Sequence, residues 1–161
     1  MEKTRKIVMG IGNTLNLDEG LGVHAVKMLE ERLSGKAPGV EFLDGGALGL
    51  NLLPWVEEAS HLLVLDAVNS RFSLPGQLME LEKDEIPLYR DIKMSDHQIT
   101  FQEVLGLAKF RDLFPENLHL IGIHPVSIEI GVGMTPEVEA LMPEVLERAE
   151  RVLREWNLLE D

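Results

Sequence analysis

Three short polar segments interrupt the apolar stretches of this chain, and each contains side chains that bind metals or transfer protons. They are Gly12-Asn13-Thr14 through Asp18-Glu19-Gly20, Leu65-Asp66-Ala67 and Ser95-Asp96-His97-Gln98. A glutamate, an aspartate and a histidine together offer two carboxylates and one imidazole. That set suits an open site for Ni, Zn, Mn or Fe. The first chemistry to consider is therefore metal binding by Glu19, Asp66 and His97.

Each of these side chains also has a purely structural interpretation. Glu19 stands where the first predicted helix opens, and a carboxylate there is favoured by the helix dipole. Asp66 follows four apolar residues, so it can cap a loop by accepting backbone N–H groups where a strand leaves the core. A lone histidine such as His97 is more often a surface or capping residue than a ligand. The residues alone leave both interpretations open.

Apolar runs and helical spacing predict the elements that must position these side chains. Strands are predicted over residues 6–11, 40–43, 61–67, 77–81 and 118–124. Helices are predicted over residues 20–34, 48–59, 99–113 and 136–156. The second is interrupted at Pro54 and resumes after it, and the last has Thr135 as its N-cap. Only about ten residues separate the third and fourth strands, too few for a crossover helix, so the fourth strand is predicted to be antiparallel.

These elements predict a three-layer α/β/α sandwich with a mixed, mostly parallel five-stranded sheet, and residues 1–161 are expected to form a single domain. The first and third strands are natural neighbours in a doubly wound sheet, which brings Glu19 and Asp66 to the same edge. Residues 83–96 can span roughly 40 Å when extended, enough to return His97 to that edge. The fold thus permits the three candidate ligands to meet.

Composition excludes several classes of function. A formal net charge of −13 disfavours binding to nucleic acid or to an anionic membrane, since both require clustered Lys and Arg. The chain has no cysteine, which excludes thiolate metal sites and cysteine nucleophiles and fits a reducing, cytoplasmic setting. No window approaches the roughly 20 apolar residues that cross a bilayer. We expect a soluble cytoplasmic protein.

Common catalytic motifs are absent from the sequence. There is no pair of histidines at helical spacing, no G-x-S-x-G elbow and no Walker loop. Gly10-Ile11-Gly12 begins like a dinucleotide-binding fingerprint, but Leu15 occupies the position of the third glycine. Nucleotide binding is therefore disfavoured.

An ordered series of motifs is similar to those of the hydrogenase maturation proteases. The first, Gly10-Ile-Gly-Asn-Thr-Leu through Asp18-Glu-Gly-Leu-Gly22-Val, resembles the N-terminal motif of that family. The later matches follow in the family's order and are Asp44-Gly-Gly46 with Gly49, Leu65-Asp-Ala67, Pro75-Gly76, Ser95-x-His97-Gln98, Gly122-x-x-Pro125 and Thr135-Pro136-x-Val-Glu139. The resemblance extends from Ile7 to about Val152.

The resemblance implies an endopeptidase that recognises nickel already inserted in a hydrogenase large-subunit precursor and removes the precursor's C-terminal extension. It implies that Glu19, Asp66 and His97 contact this nickel. Because the metal then belongs to the substrate, the isolated protein is expected to hold none tightly or to capture an adventitious divalent cation. Asp44 resembles a family segment tied to recognition or cleavage and is the candidate catalytic residue, a general base. Its alternative role is an Asx-turn residue that only organises two glycines.

Two other classes of function stay open at this point. One is a non-catalytic, metal-dependent binding module or chaperone for the maturing large subunit, and the other is a small-molecule hydrolase on a similar sheet. His124 ends the fifth predicted strand at the same edge and is a further candidate ligand, whereas His24, His61 and His119 are interpreted as helix-face or strand-flank residues. The protein is expected to act as a monomer.

Overall fold

A five-stranded sheet forms the centre of the molecule. The computed structural model describes residues 2–69, 73–88 and 100–161. The strands are β1 (Arg5–Ile11), β2 (Val40–Gly46), β3 (Ala59–Ala67), β4 (Leu78–Glu82) and β5 (Asn117–Ile123). Their order across the sheet is β2-β1-β3-β5-β4, and every pair is parallel except β4 with β5. This confirms the predicted mixed sheet and its antiparallel fourth strand.

Helices cover both faces of this sheet. They are α1 (Leu21–Arg32), α2 (Leu53–Glu58), α3 (Phe101–Phe110), α4 (Pro136–Glu139) and α5 (Met142–Glu155), with short 3₁₀ turns at Leu17–Gly20, Gly49–Leu52 and Lys83–Glu85. Buried side chains of α1 and α5 pack on one face, and those of α2 and α3 pack on the other. The three-layer architecture is thereby confirmed. In the described part of the chain, none of the helices has the length and apolarity that crossing a membrane requires.

Strand β3 shows why the central strands are almost wholly apolar. Leu63 and Leu65 face the layer of α1 and α5, whereas Leu62 and Val64 face the layer of α2 and α3. Both sets are fully buried, so neither face of the strand tolerates a polar residue. Asp66 continues the alternation of Leu62 and Val64, which directs it toward the side of α2 and α3.

The predicted single helix over residues 136–156 is wrong, because the chain forms two helices separated at Ala140 and Leu141. Pro143 supplies the physical reason. In one continuous helix its ring would clash with the carbonyl four residues earlier, and it has no N–H to donate. At the start of α5 both defects are harmless, so the second helix begins there instead.

The connections around β1 open a cleft at the carboxyl edge of the sheet. From β1 the chain crosses one face through α1 to β2, and from β2 it crosses the other face through α2 to β3. The chain after β1 leads to β2, whereas the chain after β3 leads to β4 at the other edge of the sheet. The loops that follow β1 and β3 therefore diverge, as at the topological switch point of other doubly wound sheets. Helix α1 lies close against this edge, since a Cβ on Gly22 would stand 2.1 Å from the carbonyl oxygen of Leu65.

Candidate active site at the carboxyl edge of the sheet

A cleft of about 780 Å³ opens where the loops after β1 and β3 separate. Its walls come from the segments after β1, β2 and β3, from the start of α3 and from the segment after β5. Glu19 and Asp66 both line it, as predicted from strand order. Among the described residues that line the cleft, none is Lys, Arg or His, so two carboxylates share it without a cationic side chain.

Glu19 lies on a tight turn that holds it at the wall of the cleft. It belongs to the 3₁₀ turn Leu17–Gly20, and its side chain is exposed. Gly12 passes directly beneath this turn with a φ of 138°, and a Cβ there would stand 1.9 Å from the carbonyl oxygen of Glu19. No described residue donates a hydrogen bond to the Glu19 carboxylate, and it caps neither the turn nor α1. The helix-capping interpretation of Glu19 therefore has no contact to support it.

Asp66 lies half-buried at the end of β3. One carboxylate oxygen accepts the N–H of Ala67 at 2.8 Å, which is a single contact of the capping kind considered for it. Burial raises the pKa of Asp66 to about 8, against the lowering effect of the Ala67 N–H, and the Glu19 charge raises it further. An apo carboxylate in this position favours its protonated form, and a cation that enters the cleft would compete with that proton.

Asp18 is a functional residue that the sequence did not single out. It is 0% exposed, and it is the one buried polar or charged residue in the part of the chain that the structure describes. Its carboxylate accepts the backbone N–H groups of Val126 at 2.9 Å, Ser127 at 3.1 Å and Thr135 at 2.7 Å. The Thr135 hydroxyl donates to it as well, at 2.8 Å. The charge is therefore compensated by four donors from one distant segment.

Backbone contacts extend this connection into a junction between residues 13–19 and residues 125–135. The Asp18 N–H donates to Ser127 O at 3.1 Å, and the N–H of Gly131 donates to Leu15 O at 2.9 Å. The Leu17 N–H donates to Gly131 O at 3.1 Å from a backbone with a φ of 41°, an unfavourable conformation for leucine. Thr135 occupies the predicted N-cap position of α4, but its hydroxyl bonds to Asp18 and not to the helix backbone. The segment after β5 is thus held against the turn that contains Glu19.

Asp44 lies at the end of β2 but is not among the residues that line the cleft. Its side chain is exposed, accepts the N–H of Gly46 at 3.0 Å and lies 3.5 Å from the Lys27 ammonium. The Gly46 contact is the Asx-type interaction considered as its alternative role. The catalytic assignment of Asp44 stays a prediction.

The third candidate ligand, His97, falls outside the described residues, as do the rest of Ser95-Asp96-His97-Gln98. Within the described ranges, no three His, Asp or Glu side chains form a group that could hold a metal. Thr100, three residues after His97, lines the cleft at the start of α3.

His124 and the other histidines make separate contacts. Nδ1 of His124, at the end of β5, lies 2.7 Å from Oγ of Ser73, so a described contact occupies one ring nitrogen of this candidate ligand. His119 contacts Glu80 at 2.7 Å, and His61 packs edge-on against Trp156. Burial raises the pKa of Glu80, but hydrogen bonds from His119 and Arg151 outweigh it and leave that pKa below its usual value.

Comparisons with known proteins find relatives that match nearly the whole chain. The sequence model of the HycI hydrogenase maturation protease family matches residues 23–152. The chain is 40% identical over 151 residues to the hydrogenase 2 maturation protease of Escherichia coli (strain K12), covering 94% of this chain and 92% of that protein. It is 42% identical over 156 residues to the hydrogenase expression/formation protein HupD of Rhizobium leguminosarum bv. viciae, covering 96% of this chain and 76% of that protein.

A solved structure with a similar fold is that of the hydrogenase maturating endopeptidase HybD from E. coli. It superposes with a TM-score of 0.83 at 39% identity, covering 94% of this chain and 93% of the other. The maturation protease HycI from Thermococcus kodakarensis KOD1 shares the fold at 22% identity, with a TM-score of 0.72 and 94% of each chain covered. The sheet and its crossovers are therefore common to proteins that differ at most positions.

Replacing Asp18 with Asn should destabilise the protein by about 2–4 kcal/mol, because an amide nitrogen would face backbone N–H donors and leave them unpaired. The measurement is the free energy of unfolding in urea. The control is Glu129→Gln, an exposed acid on the same distal segment. Equal stability of the two variants would contradict the structural role of Asp18.

Replacing Asp66 with Asn should raise stability increasingly as the pH rises. The pKa of Asp66 is near 3.8 in the unfolded chain and about 8 in the folded one. The folded state therefore binds the Asp66 proton more tightly, and the stability that this gives is full below pH 3.8 and is lost as the pH rises toward 8. The neutral amide avoids that loss, and the variant should gain about 1–3 kcal/mol on the wild type between about pH 5.5 and 8.5. Urea unfolding without metal measures this, with the exposed Asp84→Asn as control. A pH-independent difference would refute the raised pKa.

Proposed function

Because the chain belongs to the hydrogenase maturation protease family and is an endopeptidase, we propose that it removes the C-terminal extension of a nickel-loaded nickel-iron hydrogenase large-subunit precursor. The nickel is part of the substrate in this proposal. Glu19, Asp66 and His97 contact it, and the cleft holds the adjoining tail of the precursor.

The observation that carries the proposal is the pairing of Glu19 with Asp66 in one cleft. Two carboxylates share this cleft with no cationic side chain among its described lining residues. Burial raises the pKa of Asp66 to about 8, and the nearby charge of Glu19 adds to that rise. A divalent cation relieves the repulsion between the two carboxylates and takes oxygen ligands from both groups. A cleft built in this way suits a metal that arrives with the substrate.

His97 completes the proposed ligand set through its place in the sequence. It precedes Thr100 by three residues, and a chain of that length reaches at most about 11 Å. Thr100 lines the cleft, and this short separation along the chain supports His97 as the third ligand in the proposal. Two carboxylates with one imidazole make an open site that leaves positions for the ligands that nickel already has in the precursor.

The residues of this chain contribute chiefly by positioning. Contacts from Glu19 and Asp66 to the metal fix the precursor, so that its tail lies along the cleft and cleavage becomes effectively intramolecular. Nickel supplies Lewis acidity or serves only as a tether. Asp44 is the proposed general base, and its exposed carboxylate at the end of β2 lies two residues from Gly46 in the cleft wall.

A cleavage assay tests the proposal. The purified protein is mixed with nickel-loaded and nickel-free large-subunit precursors, and loss of the tail is followed by intact mass. Only the loaded precursor should be cut, and Glu19→Gln, Asp66→Asn and His97→Ala should each lower the rate by about a hundredfold or more, since each removes a contact that positions the substrate.

The matched control is Asp84→Asn, which removes an exposed carboxylate outside the cleft lining and should leave the rate unchanged. Equal cleavage of both precursors would show that the protein does not recognise nickel. Binding of the loaded precursor without any loss of mass would instead support a non-catalytic binding module.

A further inference from the structure

Exposed apolar side chains stand beside the mouth of the cleft. Ile128, Ile130 and Val132 are 51%, 92% and 84% exposed, and Leu15 is 63% exposed. We call these four residues the apolar rim. Ile128 also lines the cleft, so the rim is continuous with the cavity that contains Glu19 and Asp66. An apolar patch of this kind beside a site usually marks a surface that another molecule covers.

The rim is held in place by the backbone contacts of the junction. Ile128 O accepts the Asn16 side-chain amide at 3.1 Å, and Gly131 N–H donates to Leu15 O at 2.9 Å. Asp18 anchors the same segment at Val126, Ser127 and Thr135. The apolar side chains therefore extend from backbone that these contacts fix, and association would order little additional chain.

The surrounding charges restrict what the rim can bind. Residues 12–20, 46–52 and 124–135 contain no Lys or Arg, whereas Glu19 and Glu129 stand within them as exposed acids. An acidic surface would be repelled here, and an apolar surface with neutral or basic surroundings would be complementary. Another exposed apolar residue, Phe110, lies at the far end of α3 from the cleft.

We infer that the apolar rim is the docking surface for an apolar patch of the folded large-subunit precursor, next to the metal that Glu19 and Asp66 contact. The inference rests on the proposed function. A metal already seated in a folded protein reaches these two carboxylates only if the protein surface around it meets the residues around the cleft mouth. The rim supplies exposed apolar side chains there.

The test compares the double variant Ile130→Ser/Val132→Ser with the wild type on nickel-loaded precursor. Calorimetry measures the affinity for the precursor separately from its cleavage, and the loss of the tail measures KM and kcat. The double variant should bind at least about tenfold more weakly and show a correspondingly higher KM, while kcat at saturation changes by less than about twofold. Phe110→Ser, which removes an equally exposed apolar side chain elsewhere, should match the wild type. Unchanged unfolding midpoints verify the fold of both variants.

Unchanged affinity and KM in the double variant would overturn the inference, even if the wild type cleaves as proposed. A loss of kcat at constant KM would also overturn it, because the side chains would then act in the chemical step. If the wild type sediments as a dimer that the double variant abolishes, the rim covers a second copy of this chain instead. Binding that depends on the rim, without cleavage by the wild type, would uphold the docking surface and reject the proteolytic proposal.

Discussion

The buried carboxylate of Asp18 is the constraint on which the geometry of the cleft depends. A charge removed from water is tolerated only where donors replace its hydration, and here all four donors lie on the segment from Val126 to Thr135. The connection spans 117 positions of the chain at its longest. It joins the loop after the first strand to the segment after the last, and Glu19 follows Asp18 directly. Asp18 thus fixes the wall of the cleft that carries the proposed ligand Glu19.

Asp18 and Asp66 show how environment separates two aspartates into different roles. The buried carboxylate of Asp18 already accepts hydrogen bonds from four donors, so it is not accessible to a ligand. Asp66 accepts one backbone N–H, faces the charge of Glu19 and has a raised pKa because it is buried. Its poor compensation within the apo protein makes it available to an incoming cation. The proposed function therefore assigns stability and recognition to different carboxylates on the same edge of the sheet.

Much of the fold was predictable from local patterns. The apolar run of β3 predicts a strand buried on both faces, and the short connection to β4 predicts its antiparallel direction. With the strand order of a doubly wound sheet, these features were enough to place Glu19 and Asp66 at one edge. The break between α4 and α5 was missed because the helical spacing continues across it, although Pro143 was a visible signal.

The role of Asp18 was not predictable in the same way. Its partners are backbone N–H groups, which carry no sequence signature, and they lie more than a hundred positions away. Local pattern placed Thr135 at the start of a helix, but its hydroxyl donates a hydrogen bond to the distant carboxylate of Asp18. The exposure of Ile130 and Val132 likewise depends on how their loop packs against residues 13–19. The apolar rim is therefore visible only in the tertiary structure.

The most direct test of the metal-contact claim is nickel X-ray absorption spectroscopy on loaded precursor, frozen before and shortly after the protein is added. If Glu19 and Asp66 contact the metal, the wild-type protein will add carboxylate oxygen ligands to the nickel shell, and the double variant Glu19→Gln/Asp66→Asn will not add these oxygens. A nickel spectrum that stays the same with wild-type protein, in a sample where the two proteins are bound, would contradict the claim.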